Sequence, residues 1–218
     1  MLSVLPYVYN SKMKSEQIER IKNWLGTGSI NVFGRPFAGK DTQCTRLADS
    51  LDGMVIAGGD ILRSHPDKET VKKLMLTGKL FPPDYYISIV LPFLSKPEFA
   101  KKPLILSSVG RWYGEEKNVI KASKSSGHPL CAVIYLVVSD EEIQRRWNIK
   151  HVRKDRGDRH DDRTEIQNTR QDEFKNKTLP VLDFYRSKGL LIEVDGNASE
   201  DEVATKILTA LAKYIQSS

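Results

Sequence analysis

Short apolar runs recur at residues 30–33, 54–57, 104–106, 131–138 and 190–194, and the stretches between them carry helical patterns. This alternation restricts the fold more than any other feature of the chain. Parallel strands need long crossovers, usually helical, and a parallel sheet has both faces covered by those helices. The expected architecture is therefore an α/β/α three-layer sandwich around a five-stranded parallel sheet. Ile18, Ile21 and Leu25 follow helical spacing and stop at Gly26, which predicts an amphipathic helix within an N-terminal extension over 1–29. Ser199 with Glu202 three residues on, ahead of Val203, Ile207, Leu208, Leu211 and Ile215, predicts a capping box opening a final helix. Between 162 and 185 the pattern is helical again, but Pro180 should break or kink it.

Immediately after the first apolar run stands Gly34-Arg35-Pro36-Phe37-Ala38-Gly39-Lys40-Asp41-Thr42. Glycine at both ends lets such a loop turn tightly, so that its N–H groups and the following helix N-terminus face phosphate oxygens. Gly34, Ala38, Gly39, Lys40, Asp41 and Thr42 are the expected ATP-binding residues. Lys40 is placed to reach the β- and γ-phosphates, and Thr42 to meet a phosphate or the shell of a magnesium ion. Asp41 occupies the usual Ser/Thr place of the P-loop pattern, so the hydroxyl arrives one residue late.

Four further segments follow in order: Gly59-Asp60-Ile61-Leu62-Arg63, Gly78-Lys79-Leu80, an apolar run ending at Ser107 with Arg111 beyond it, and Arg159-x-Asp161-Asp162 with Glu165 and Arg170. With Gly39-Lys40-x-Thr42-Gln43, this succession resembles the adenylate kinase-like nucleoside monophosphate kinases, P-loop enzymes that carry GKGTQ, TGDLLR, GKL, DGFPR and GR-x-DD motifs. The resemblance runs from about residue 30 to the C-terminus and implies a kinase domain over 30–218. It also implies an acceptor-binding insertion near 59–95 and a short lid near 150–162 without cysteine ligands. Phosphoryl transfer asks for positioning and for positive charge around the transferring group, and arginine supplies a planar fork of donors that stays charged. By resemblance Arg63 and Arg111, with Gly59 and Asp60, bind the monophosphate; Arg153, Arg159 and Arg170 join Lys40 as catalytic groups; Asp161 and Asp162 order the lid.

The departures from the family pattern are specific. Ser107 stands where DGFPR has the Asp that orders water around magnesium, which leaves Asp60, with Thr42, as the expected indirect metal contacts. Phe37 and Asp41 replace loop glycines, and a carboxylate near phosphates repels them unless it points away. Gly58 replaces the Thr of TGD. Glu115 falls at the position of a Gln that reads adenine; ionised, it accepts but cannot donate, which favours the donor edges of guanine or cytosine.

The reading is transfer of the γ-phosphoryl of ATP, as MgATP, to a nucleoside monophosphate. The alternatives are a UMP/CMP-preferring or broader nucleotide kinase, and a catalytically weakened nucleotide-binding regulatory protein. A net charge of +6 is compatible with polyanionic partners, and residues 145–163 hold eight basic residues against four aspartates. A solvated charged face accounts for such a run equally well. Without an aromatic-rich RNA motif, nucleic acid is not the expected partner. No apolar run reaches membrane-spanning length, residues 1–9 lack a basic leader and contain Pro6, and Cys44 and Cys131 show no metal or redox spacing. The expectation is a cytoplasmic monomer with two reduced cysteines.

Overall fold

A computed structural model describes residues 5–63, 65–153 and 164–217; the side chains of 5–14, 60, 68, 150–153 and 164 are not described. Five strands form one sheet: β1 (Ser29–Gly34), β2 (Met54–Ala57), β3 (Leu104–Ser107), β4 (Leu130–Val137) and β5 (Leu191–Asp195). Their order is β2-β3-β1-β4-β5 and every neighbouring pair is parallel. The helices are α1 (Leu5–Leu25), α2 (Lys40–Leu51), α3 (Gly58–Arg63), α4 (Lys68–Leu76), α5 (Pro83–Val90), α6 (Glu115–Ser125), α7 (Asp140–Arg153), α8 (Thr164–Glu173), α9 (Leu179–Ser187) and α10 (Glu200–Ser217). Each strand lies within a residue of its apolar run. None of the described helices is long and apolar enough to cross a membrane.

The period-2 alternation of the strands sorts their side chains between two covered faces. Ile30 and Val32 of β1, Ile105 of β3 and Ala132, Ile134 and Leu136 of β4 join the core beneath α1, α2 and α10. Leu104 and Leu106 face the opposite way, into the cluster with α3, α5 and α6, and Phe33 and Val133 pack on α9. The first helix is part of this packing: Ile21 and Leu25 are buried, Trp24 meets Tyr214 of α10 edge-on at 6.0 Å, and the Gln17 amide donates to the Leu208 carbonyl. The capping box forms as the sequence predicts, with the Ser199 N–H donating to Glu202 at 3.0 Å.

Pro180 has a particular outcome. Between α8 and α9 the backbone widens into a π-helical turn over Phe174–Thr178, and Pro180 lies in the first turn of α9. A proline lacks the N–H that an α-helix needs and its ring presses on the carbonyl four residues back. A wider turn accommodates both without ending the helical path.

Sheet polarity places the site. All five strands point the same way, so the loops after β1, β2 and β3 gather at one edge. The order reverses around β1, whose neighbours are β3 and β4, and crevices at such reversals are where open α/β sheets bind ligands.

Candidate active site

The loop leaving β1 turns through Phe37 at φ 68° and Gly39 at φ 85° before α2 begins at Lys40. Gly34 is required by closeness, because a Cβ there would sit 3.0 Å from that of Ala38. Phe37 is unusual: left-handed backbone in a bulky residue costs roughly 1–2 kcal/mol. Its ring is buried and meets Trp147 of α7 edge-on at 5.0 Å. Losing a buried phenylalanine costs about 3–5 kcal/mol, so packing outweighs strain. Phe37→Gly is therefore expected to destabilise the protein by about 2 kcal/mol net, measured by denaturant unfolding, although glycine is the residue the backbone geometry prefers. Arg35 and Pro36 tie the same loop to α7 and α8: Arg35 Nε donates to Gln171 of α8 at 2.9 Å, its guanidinium pairs with Asp140 of α7, and Gln171 Nε2 donates to the Pro36 carbonyl.

Four cations from four separate places converge on the cleft above this loop: Lys40 from α2, Arg63 from the end of α3, Arg111 from beyond β3 and Arg170 from α8. Burial lowers the Lys40 pKa; Asp41 opposes that, while Arg170 and Arg111 add to it. Gly59 lies under the Arg63 guanidinium, which a Cβ would approach to 3.3 Å. The loop carrying Arg111 is held from below by a buried side chain of β1: Asn31 Nδ2 donates to the Val109 carbonyl at 2.7 Å and its Oδ1 accepts from the Val109 N–H at 3.2 Å. Glu115 holds the loop from the other end. Its Oε2 accepts from the Arg111 and Trp112 N–H groups at 2.7 and 2.9 Å, while Oε1 is buried without a partner beside a small cavity that Tyr86 and Phe81 also line. Gly58 is explained by a neighbour, since a Cβ there would lie 2.3 Å from the Tyr86 hydroxyl.

Asp41 does not stand alone. Ser107 Oγ donates to its Oδ1 at 2.8 Å, and Lys40 Nζ is 3.4 Å from the same oxygen. Thr42 faces a different hollow, on the far side of the loop, with Gln43, Arg146 and Ser199. That hollow is organised by Arg146, whose guanidinium donates to the carbonyls of Ala38, Gly196 and Ala198 and to the Glu142 carboxylate.

A protein-family model described as adenylate kinase matches residues 32–190. The adenylate kinase of Leifsonia xyli subsp. xyli is 35% identical over 187 residues, 84% of this chain and 92% of the relative. That of Thermus thermophilus is 32% identical over 193 residues, 86% of this chain and 99% of the relative, and that of Stenotrophomonas maltophilia is 33% identical over 185 residues, 83% and 97%. The chain belongs to the adenylate kinase family. It is an enzyme of the family's class, a kinase that moves a phosphoryl group between ATP and a nucleoside monophosphate.

Within this adenylate kinase-family fold, the structure brings Lys40, Asp41, Gly59, Arg63, Arg111 and Arg170 around one cleft. Glu115 braces the cleft's edge and Thr42 lies across the loop. The side chains of Asp60 and Arg153, and all of Arg159, Asp161 and Asp162, lie outside the described residues. Sequence reasoning gave no role to Asn31 or Arg146. Asn31 carried one signal, a polar residue in an otherwise apolar strand; Arg146 showed only as one of a basic run, because the three carbonyls it holds lie in separate segments.

Arg146 and Arg145 also set a pH dependence. Their hydrogen bonds, Arg145's first, hold Glu142 well below its ordinary 4.5, at about 2. A depressed carboxylate contributes stability that is full above the unfolded value and lost as pH falls through the folded one. The difference in melting temperature between wild type and Glu142→Gln should thus be greatest above pH 4.5 and vanish toward pH 2, which thermal melts across that range will check.

Proposed function

We propose that this family member transfers the γ-phosphoryl of ATP to a nucleoside monophosphate held between α3 and the Arg111 loop, with AMP, for which its relatives are named, as the acceptor. The observation that carries this reading is the convergence of Lys40, Arg63, Arg111 and Arg170 over a glycine-bounded loop at the C-terminal edge of a parallel sheet. The loop N–H groups and the α2 N-terminus bind the donor's phosphates. Its adenosine lies in the hollow that Arg146, Gln43 and Ser199 line. Arg63 and Arg111 receive the acceptor phosphate, and Arg170, with Arg153 and Arg159 from the lid side, meets the charge that grows on the transferring group. Glu115 acts as a brace for Arg111, since its Oε2 already serves two backbone N–H groups. The hard oxygen donors of Asp41 and Ser107 facing the cleft fit a hydrated magnesium ion. Held there with ATP, magnesium would supply positive charge that neutralises part of the charge on the phosphates. Aspartates 161 and 162 belong to lid ordering, and the enzyme works as a cytoplasmic monomer.

Incubation with MgATP and each of AMP, GMP, CMP and UMP in turn, with ADP release followed, tests the reading. Rapid ADP release with one monophosphate, over slow hydrolysis alone, is the expected result; no release with any of them rejects it. A clear preference for GMP or CMP would return Glu115 to the role of base reader.

A further inference from the structure

The cleft holds a charge that a site for phosphates should not tolerate. Asp41 stands in the first turn of α2, next to Lys40, in the wall that the donor's phosphates would approach. The first turn of a helix favours an acid, but at this half-exposed position in the cleft a carboxylate also repels phosphate oxygens. The side chain is nevertheless oriented: the Ser107 hydroxyl, at the end of β3 and almost wholly buried, donates to its Oδ1 at 2.8 Å. An aimed carboxylate beside a polyphosphate becomes favourable when a cation arrives with the phosphates. Magnesium keeps several of its waters and is held through one or two carboxylates together with substrate phosphates. An ionised carboxylate offers about four lone-pair positions, so it can accept from Ser107 and from a metal-bound water together.

We propose that Asp41, oriented by the Ser107 hydroxyl, is the carboxylate that anchors the hydrated divalent cation entering with the donor's phosphates. Ser107 is then a positioning residue, and the serine at the end of β3 and the aspartate at the start of α2 form one unit. The inference rests on the donor-site reading above. A competing role for Asp41, neutralising Lys40 across 3.4 Å, makes a different prediction, because that service does not depend on the metal.

The test is calorimetric titration of ATP into the full-length protein, once with chelator and once with magnesium, for wild type, Asp41→Asn and Ser107→Ala. The quantity compared is the ratio of the two dissociation constants, with manganese and its paramagnetic resonance spectrum as a direct readout of the bound ion. Wild type should bind ATP more tightly with magnesium. Asp41→Asn should bind metal-free ATP no more weakly than wild type but lose roughly 10–100-fold of the magnesium gain, the usual cost of removing a group that holds a metal's ligand. Ser107→Ala should lose a smaller part of it. Should Asp41→Asn not fold, Asp41→Ser carries the same comparison. An unchanged ratio in the Asp41 variant overturns the proposal; when both constants are weakened alike, that result assigns Asp41 to Lys40 instead. A wild type that binds ATP under neither condition overturns the donor-site reading and this inference with it; wild-type binding with an unaltered ratio overturns the inference alone.

Discussion

Arg170→Ala is expected to lower kcat by roughly three to five powers of ten, the range for an arginine that meets transition-state charge in phosphoryl transfer, and to leave the melting temperature nearly unchanged. The side chain comes from α8 and lines the cleft together with Lys40 and Arg111. On the proposed reading it meets charge that accumulates on the equatorial oxygens more than it binds ground-state ATP, so the loss should fall on kcat and leave KM for ATP within a small factor. Arg186→Ala is the control. Arg186 is a half-exposed arginine of α9 paired with Asp183 and Glu193, and such surface pairs are worth about 0–1 kcal/mol of stability and nothing in turnover. Equal, modest and salt-sensitive effects of the two substitutions would show that arginine acts here only as part of a diffuse field. Steady-state kinetics and thermal melts on both variants decide between the outcomes.

Lys40→Ala should lower kcat by about 10²–10³-fold, the usual cost of removing one preorganised donor from a developing oxyanion. Here the stability expectation has a sign of its own. Burial lowers the Lys40 pKa below its ordinary 10.5, with Asp41 opposing, so folding disfavours the charged form that the unfolded chain holds freely. That cost is full below the folded pKa and disappears as pH rises to the unfolded 10.5. The alanine variant is thus expected to melt slightly above wild type at neutral pH, the difference shrinking on the alkaline side. A variant that loses activity and melts far lower would mean that Lys40 holds the loop together and that its kinetic effect is indirect.

Both predictions concern residues that the sequence marks, and the reason is locality. Lys40 sits in a contiguous loop, and the strands are contiguous apolar runs whose alternation survives in the structure to within a residue at either end. What could not be read were contacts whose partners are remote in sequence. Asp41 and Ser107 each looked like a separate departure from the family pattern; they touch across 66 residues, and a fault in each motif becomes one arrangement. Arg146 reaches Ala38 across 108 residues and was legible only as one member of a basic run. Glu115 was placed beside the acceptor by motif position, whereas its hydrogen bonds to the Arg111 and Trp112 N–H groups depend on how the loop after β3 folds back. Phe37 read as a lost glycine because its compensation, the Trp147 ring, belongs to a helix that begins more than a hundred residues later.

The π-helical turn over Phe174–Thr178 also fixes an angular phase. Each residue of an α-helix advances the chain by about 100°, and one extra residue accommodated in a wider turn shifts the face that α8 presents relative to α9. Arg170 and Glu173 before the turn and Thr178 at its end line the same cleft, Glu173 accepts from the Leu80 N–H, and the Thr178 hydroxyl reaches the Arg111 carbonyl. Trimming a single residue from the turn would keep every side chain named here except the one removed, yet rotate the whole of α8 by about a quarter turn. Arg170 would then face away from the cleft, and Glu173 from Leu80. For this enzyme, a change in the count of residues at one turn is more damaging than most changes in their identity.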